Sequence, residues 1–122
     1  MAIDVAVMML PRKIPKEAKR QSRWKSPAHC NFVRGHACSI CDSMTAIEVA
    51  HIRYGSGTGM GQKPHDWFTV SLCKQCHTNQ HSVGERTFWA TYNINPFALA
   101  EAFAKASPKA AEIAAKKREL GL

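Results

Sequence analysis

No apolar run in this sequence of 122 residues approaches the roughly 20 residues that a membrane span needs, so no membrane-spanning segment is expected. The opening stretch MAIDVAVMML is apolar, but Asp4 interrupts it and no basic residue precedes it. Arg12 and Lys13 follow the stretch instead, the reverse of a secretory leader, and a signal peptide is not expected. A short strand or a loose end is the plainer reading. Acidic residues are scarce: 9 Asp and Glu stand against 17 Lys and Arg, a formal net charge of +8. That balance favours a polyanionic partner, nucleic acid before an anionic membrane. The cysteine count is odd, at 5, which without a leader argues against a disulfide framework. No internal repeat is visible beyond two Cys-x-x-Cys pairs, and those argue for a metal in a reducing cytoplasm.

What is present divides into three parts: a basic arm over 1–28, a core over 29–95 and Ala/Lys-rich helices over 96–122. Over 11–28 the arm carries Arg12, Lys13, Lys16, Lys19, Arg20, Arg23 and Lys25 against the single acid Glu17, and Pro11, Pro15 and Pro27 interrupt it. It reads either as a phosphate-tracking segment, helical between Lys16 and Lys25, or as a solvated tail. Trp24 would stack on a base or pack on the domain. In the core, IEVAHIRY (47–54) and WFTVSL (67–72) have the β-branched and aromatic content of strands. Between them GSGTGMG places four glycines in seven residues and must be a loop. It lacks the spacing and the Lys-Ser/Thr ending of a P-loop. A helix opened by Cys73 should run to Gly84. ERTFWATY (85–92) follows as a helix with Phe88, Trp89 and Tyr92 on one face. Asn95-Pro96 signals a further helix start, and Pro108 begins a last Ala-rich helix.

The pairs Cys38–Cys41 and Cys73–Cys76 match tetrahedral zinc, and four thiolates leave no position open for water, so the expected role is structural. Such a staple would tie the first knuckle to the strand–helix junction, and folding would depend on it. Cys30 is left over as a buried small hydrophobe, and beside it His29 reads as a packing or hydrogen-bonding histidine. Three other histidines suggest chemistry. His77 and His81 are four apart, one turn along one helix face, a spacing that suits two imidazoles on one ion. His51 lies on the first strand, and all three rings are expected to converge outside the zinc tetrahedron. Solvent-facing histidines are the plainer alternative. Asp66 would fix the loop or orient His51, or simply form a turn, and His65 has no clear partner. Arg53 and Lys63 flank the glycine loop and would contact phosphates or remain solvated.

The order Cys-x-x-Cys, Ala-His-Ile, glycine loop, Lys-Pro-x-Asp, Leu-Cys-x-x-Cys-His and a further His four later resembles HNH nucleases of phages and prophages, of the Ref and YbcO type. The resemblance runs from about Pro27 to Pro96. It implies an α+β fold: a small zinc-stapled ββα-metal (His-Me finger) core with flanking helices. It implies His51 as the general base and His77 and His81 as ligands of one catalytic Mg²⁺ or Mn²⁺, with Asp66 near the family's usual central asparagine. It also implies single- or double-stranded DNA as substrate, a phage- or prophage-encoded protein in the bacterial cytoplasm, and a place in recombination beside a recombinase filament. Many family members carry Asp or His just before the base as an extra ligand, where this sequence has Ala50. An imidazole can take a proton from water near neutral pH, while the ion stabilises developing negative charge. The rival readings are a non-catalytic zinc-ribbon-like nucleic-acid-binding module and a RING-like adaptor. Oligomeric state is not encoded in any pattern here.

Overall fold

A computed structural model describes residues 10–14, 23–56 and 63–122. The expected strand or loose end at 1–9, residues 16–22 of the helix expected between Lys16 and Lys25 and most of the glycine loop lie outside them; residues 23–25 are described and are not helical. The described chain is a small mixed α+β fold. Helix α1 (Pro27–Arg34) precedes strands β1 (Ile47–His51) and β2 (Thr69–Cys73). Helices α2 (Lys74–Val83), α3 (Glu85–Thr91), α4 (Pro96–Ala106) and α5 (Ala110–Glu119) follow. Among the described residues no helix is long and apolar enough to cross a membrane.

The helix boundaries follow from local chemistry. Ser26 caps α1 by accepting from the His29 amide, with Pro27 in the first turn. Cys73 caps α2, its sulfur accepting the Cys76 amide at 3.5 Å. Gly84, at φ 90°, ends that helix in a conformation an L side chain resists. Asn95 accepts from the amides of Phe97 and Ala98 at the start of α4.

The two strands pair antiparallel, with Ile47 opposite Cys73 and His51 opposite Thr69. Alternation sends Glu48, Ala50, Val70 and Leu72 to one face and Val49, His51, Thr69 and Ser71 to the other. All five residues of β2 are buried, so the hairpin is covered on both sides. Ser71 donates to the Ala37 carbonyl just beyond α1, whereas Glu48 meets His77 on α2. The hairpin therefore lies between the chain around α1 and helix α2. Its core includes Val33, Ala50, Ile52, Val70, Leu72, Phe88 and Trp89.

Three expectations need correction. The first strand is shorter than 47–54: pairing continues to the Ile52 amide, which donates to the Phe68 carbonyl. The next two amides, of Arg53 and Tyr54, donate instead to the Glu85 carboxylate. Tyr92 keeps its ring on Phe88, at 5.1 Å, but it lies just beyond α3 and is 46% exposed. The basic arm gives way to the packed body before residue 28: Trp24 is buried in a second cluster with Trp67, Ala104 and Ile113. Its ring stacks on Trp67 at 5.4 Å, and its Nε1 donates to Glu112 on α5 at 3.0 Å. Trp24 packs on the domain.

Candidate functional site

Cys38, Cys41, Cys73 and Cys76 gather so that their sulfurs all lie within 4.8 Å of one another. The Cys41 and Cys73 sulfurs are 3.6 Å apart. Two sulfurs bound at 2.3 Å to one tetrahedral ion would be about 3.8 Å apart. Three of the four are buried and Cys41 is exposed. Burial opposes ionisation of Cys38, but the surrounding amides of Cys41, Cys73 and Ile40 bring its pKa down to about 7. Burial and the neighbouring thiols push Cys76 up. The donor set fits a structural metal such as zinc. An ion there would join the turn after α1 to the β2–α2 junction, as the spacing implies.

Asp66 is the hub of a second cluster. It is 5% exposed and receives three donors: Arg23 Nη1 at 2.7 Å, the Ser26 amide at 2.8 Å and His51 Nε2 at 2.9 Å. Burial alone would raise its pKa. The hydrogen bonds from His51, Ser26 and Arg23, with the Arg23 charge, outweigh burial and hold the carboxyl well below the usual carboxylate range. An ionised carboxylate can only accept, so the His51 nitrogen facing it carries the proton. In the neutral ring Nδ1 is then the nitrogen with a lone pair.

His77 and His81 form a third cluster on α2. Their Nε2 atoms are 3.2 Å apart, and Glu48 Oε1 lies 3.0 Å from His77 Nδ1. Two imidazole nitrogens bound at about 2.1 Å to one ion would be roughly 3.0–3.4 Å apart, from octahedral to tetrahedral angles. Among the described residues, only the four cysteines assemble three or more ligand-type side chains. The histidine pair supplies two.

The three imidazoles do not converge as the sequence suggested. Residues 48 and 51 have opposite parity on β1, so Glu48, which holds His77, and His51 leave the strand on opposite faces. Ala50, at the position where an extra ligand was sought, is fully buried in the core. The clusters nevertheless share a level along the strand. His77 meets Glu48, and Glu85, just past α2, meets the backbone of Arg53 and Tyr54. Helix α2 thus runs alongside β1 in the same direction, and His81, one turn past His77, lies level with the His51 end. Among the described residues β1 pairs only with β2, so its other edge carries no described strand.

Other candidates fall into three groups. Arg12, Lys13, Lys25, Arg53 and Lys63 are exposed, while Lys16, Lys19 and Arg20 lie outside the described residues. Arg23 is not a loose phosphate contact: Asp66 and the Pro64 carbonyl engage its guanidinium. His65 has a partner after all, since its Nδ1 accepts the Trp24 amide at 2.7 Å while the ring stacks on Trp67 at 4.3 Å. Cys30 is half-buried rather than buried, and burial together with Asp66 pushes its thiol up to about 11. His29 is fully buried, with Nδ1 2.8 Å from Ser107 Oγ. Sequence reasoning missed Glu48 and the contact of Arg23 with Asp66. An acid on the strand face covered by the histidine helix is the signal that could have found Glu48.

A family model described as "Protein of unknown function (DUF968)" matches residues 5–108, and the chain belongs to that family. It is 36% identical over 73 residues to the "Uncharacterized protein YdfU" of Escherichia coli (strain K12). That match covers 59% of this chain, and the chain spans 20% of the relative's length. No solved structure matches.

Proposed function

We propose that this DUF968 protein is a metal-dependent DNA endonuclease of the HNH kind, with a zinc-stapled ββα-metal core and His51 as general base. One observation carries the reading: Asp66, ionised and itself anchored by Arg23 and Ser26, fixes His51 through Nε2, leaving Nδ1 to take a proton from an attacking water. The carboxylate also favours the imidazolium that results, as a carboxylate behind a catalytic histidine should. A divalent ion held by His77 and His81 would supply charge neutralisation for the scissile phosphate and its leaving oxygen. The edge of β1 that carries no described strand is where a phosphodiester would be reached from both faces of the strand, by His51 from one and by the helix pair from the other.

Zinc on the four cysteines would be structural in this reading, fixing the turn after α1 to the β2–α2 junction. The exposed Arg53 and Lys63, with Arg12, Lys13 and Lys25, would follow the DNA backbone, joined by Lys16, Lys19 and Arg20. Activity of this kind in phage or prophage recombination, beside a recombinase filament in the bacterial cytoplasm, is supported by the sequence resemblance. A non-catalytic zinc-ribbon-like module accounts for the basic surface but gives no use to the His51–Asp66 pair or to Glu48, His77 and His81.

The test is cleavage of supercoiled plasmid, single-stranded and branched DNA by the zinc-loaded chain, with Mg²⁺, Mn²⁺, Ni²⁺ or Zn²⁺ added in turn. Ion-dependent nicking that stops when the added ion is withdrawn is expected. DNA binding without cleavage under every ion would replace the enzyme by the binding module.

A further inference from the structure

His77 is held from behind. Its Nδ1 is 3.0 Å from Glu48 Oε1, and its side chain is 21% exposed against 47% for that of Glu48. An ionised carboxylate accepts only, so Nδ1 carries the proton that His77 gives to Glu48. Nε2 is then the bare nitrogen, and it is the atom turned toward His81 Nε2 at 3.2 Å. A carboxylate behind a histidine whose other nitrogen faces a second imidazole is the arrangement that fixes tautomer and ring angle in metal sites and strengthens the ligand as a donor. Glu48 and His77 come from different elements, the strand and the helix, so the contact is not a by-product of helix periodicity.

We infer that Glu48 is a positioning residue that makes His77 a metal ligand through Nε2. We further infer that the resulting pair of imidazoles takes a first-row transition ion (Mn²⁺, Co²⁺, Ni²⁺ or Zn²⁺) in preference to Mg²⁺. The ion class follows from the donors. Mg²⁺ wants oxygen ligands and near-ideal octahedral geometry, whereas imidazole nitrogens suit the later first-row ions. Both protein donors here are nitrogen, and the nearest carboxylate is engaged by Nδ1–H. The buried Ala50 supplies no oxygen from the strand. This deepens the nuclease reading and rests on it for the assignment of the pair as an ion site.

The test needs no DNA. The full chain, with zinc on its cysteines, is titrated calorimetrically with Ni²⁺, Mn²⁺ and Mg²⁺, and Co²⁺ binding is followed by visible absorbance. One exchangeable transition ion per chain beyond the zinc is expected, with Mg²⁺ at least tenfold weaker than any of them. Glu48→Ala should weaken Ni²⁺ binding about 10- to 100-fold and shift the Co²⁺ spectrum. Glu48→Gln, whose carbonyl oxygen can still accept from Nδ1, should fall between it and the parent. Zinc content and circular dichroism check that each variant folds, as an exposed strand position allows. The inference is overturned if the parent takes up no second ion, if Mg²⁺ competes equally, or if Glu48→Ala binds Ni²⁺ as the parent does. A parent that binds the ion but cuts no DNA would overturn the nuclease and leave this site standing. A parent that cuts DNA with Mg²⁺, and cuts equally well as Glu48→Ala, would do the opposite.

Discussion

His51 and Asp66 are fifteen positions apart in sequence and 2.9 Å apart in space, joined by Nε2 and Oδ1. The carboxylate is also the acceptor for Arg23 and for the Ser26 amide, so the segment before α1, the end of β1 and the turn before β2 meet at one group. If the imidazole is the base, His51→Ala should lower DNA cleavage by about two to four orders of magnitude and leave zinc content and circular dichroism unchanged. Asp66→Asn should also lose cleavage, because an amide can present its NH₂ to the ring and no longer fixes which nitrogen is bare. A His51→Ala chain that nicks plasmid at the parent's rate removes the base assignment.

The four-cysteine group makes a separate demand. Chelation of its metal, or Cys38→Ser, should unfold the core, because the ion would join elements separated by more than thirty residues of chain and such sites contribute on the order of 10 kcal/mol to folding. Thermal denaturation with and without a strong chelator measures this. A Cys38→Ser chain that is soluble, cooperatively folded and free of zinc would contradict the staple.

Local signals carried much of this fold. Asn95-Pro96, Gly84 and the paired cysteines each act over a few residues, and the elements they mark are present. The proximity of Asp66 to His51 was also legible, since a strand–loop–strand hairpin returns the chain to its own edge. Contacts between distant elements were not. Arg23 looked like any other cation of the basic arm, and only the docking of Trp24 on Trp67 brings it to Asp66. The level of α2 along β1 depends on Glu85 capturing two strand amides. The opposite faces of Glu48 and His51 follow from strand parity, but parity had no meaning until the covering elements were known.

Acid should weaken the fold in two stages. Burial lowers the pKa of His29 from its ordinary 6.5. Burial and then the Arg23 charge lower that of His65 from the same value. A base with a depressed folded pKa binds more protons when unfolded, so stability is full above 6.5 and falls as pH drops from there toward the folded values. Protonating His65 also removes the acceptor that Nδ1 offers to the Trp24 amide. Asp66, depressed from 3.8, contributes stability that is full above that value and is lost below it. Urea denaturation midpoints between pH 8 and pH 3 should therefore decline first below 6.5 and again below 3.8. His29→Gln should flatten the upper decline. A midpoint that rises on acidification through 6.5 would refute the assignment.

Arg23 separates the two roles open to a basic residue in this chain. As a phosphate contact it would contribute about 0.9 to the slope of log affinity against log salt. As the partner of Asp66 it should contribute nothing to that slope, because its guanidinium is already engaged at 2.7 Å by a buried carboxylate. Arg23→Ala is therefore expected to leave the salt slope of DNA binding where it was and to lower stability by about 1–2 kcal/mol, allowing for a side chain that is 25% exposed. It should also lower cleavage, since Asp66 would lose one of the groups that hold it ionised against His51. Lys25→Ala, two positions away in sequence but exposed, should behave in the reverse way, reducing the slope by about one contact while stability and cleavage at low salt stay near the parent's. Fluorescence anisotropy with a labelled oligonucleotide at several salt concentrations, run beside thermal denaturation, reads both. If Arg23→Ala flattens the salt slope and keeps full stability, its contact is with phosphate and the Asp66 hub is held by His51 and Ser26 alone.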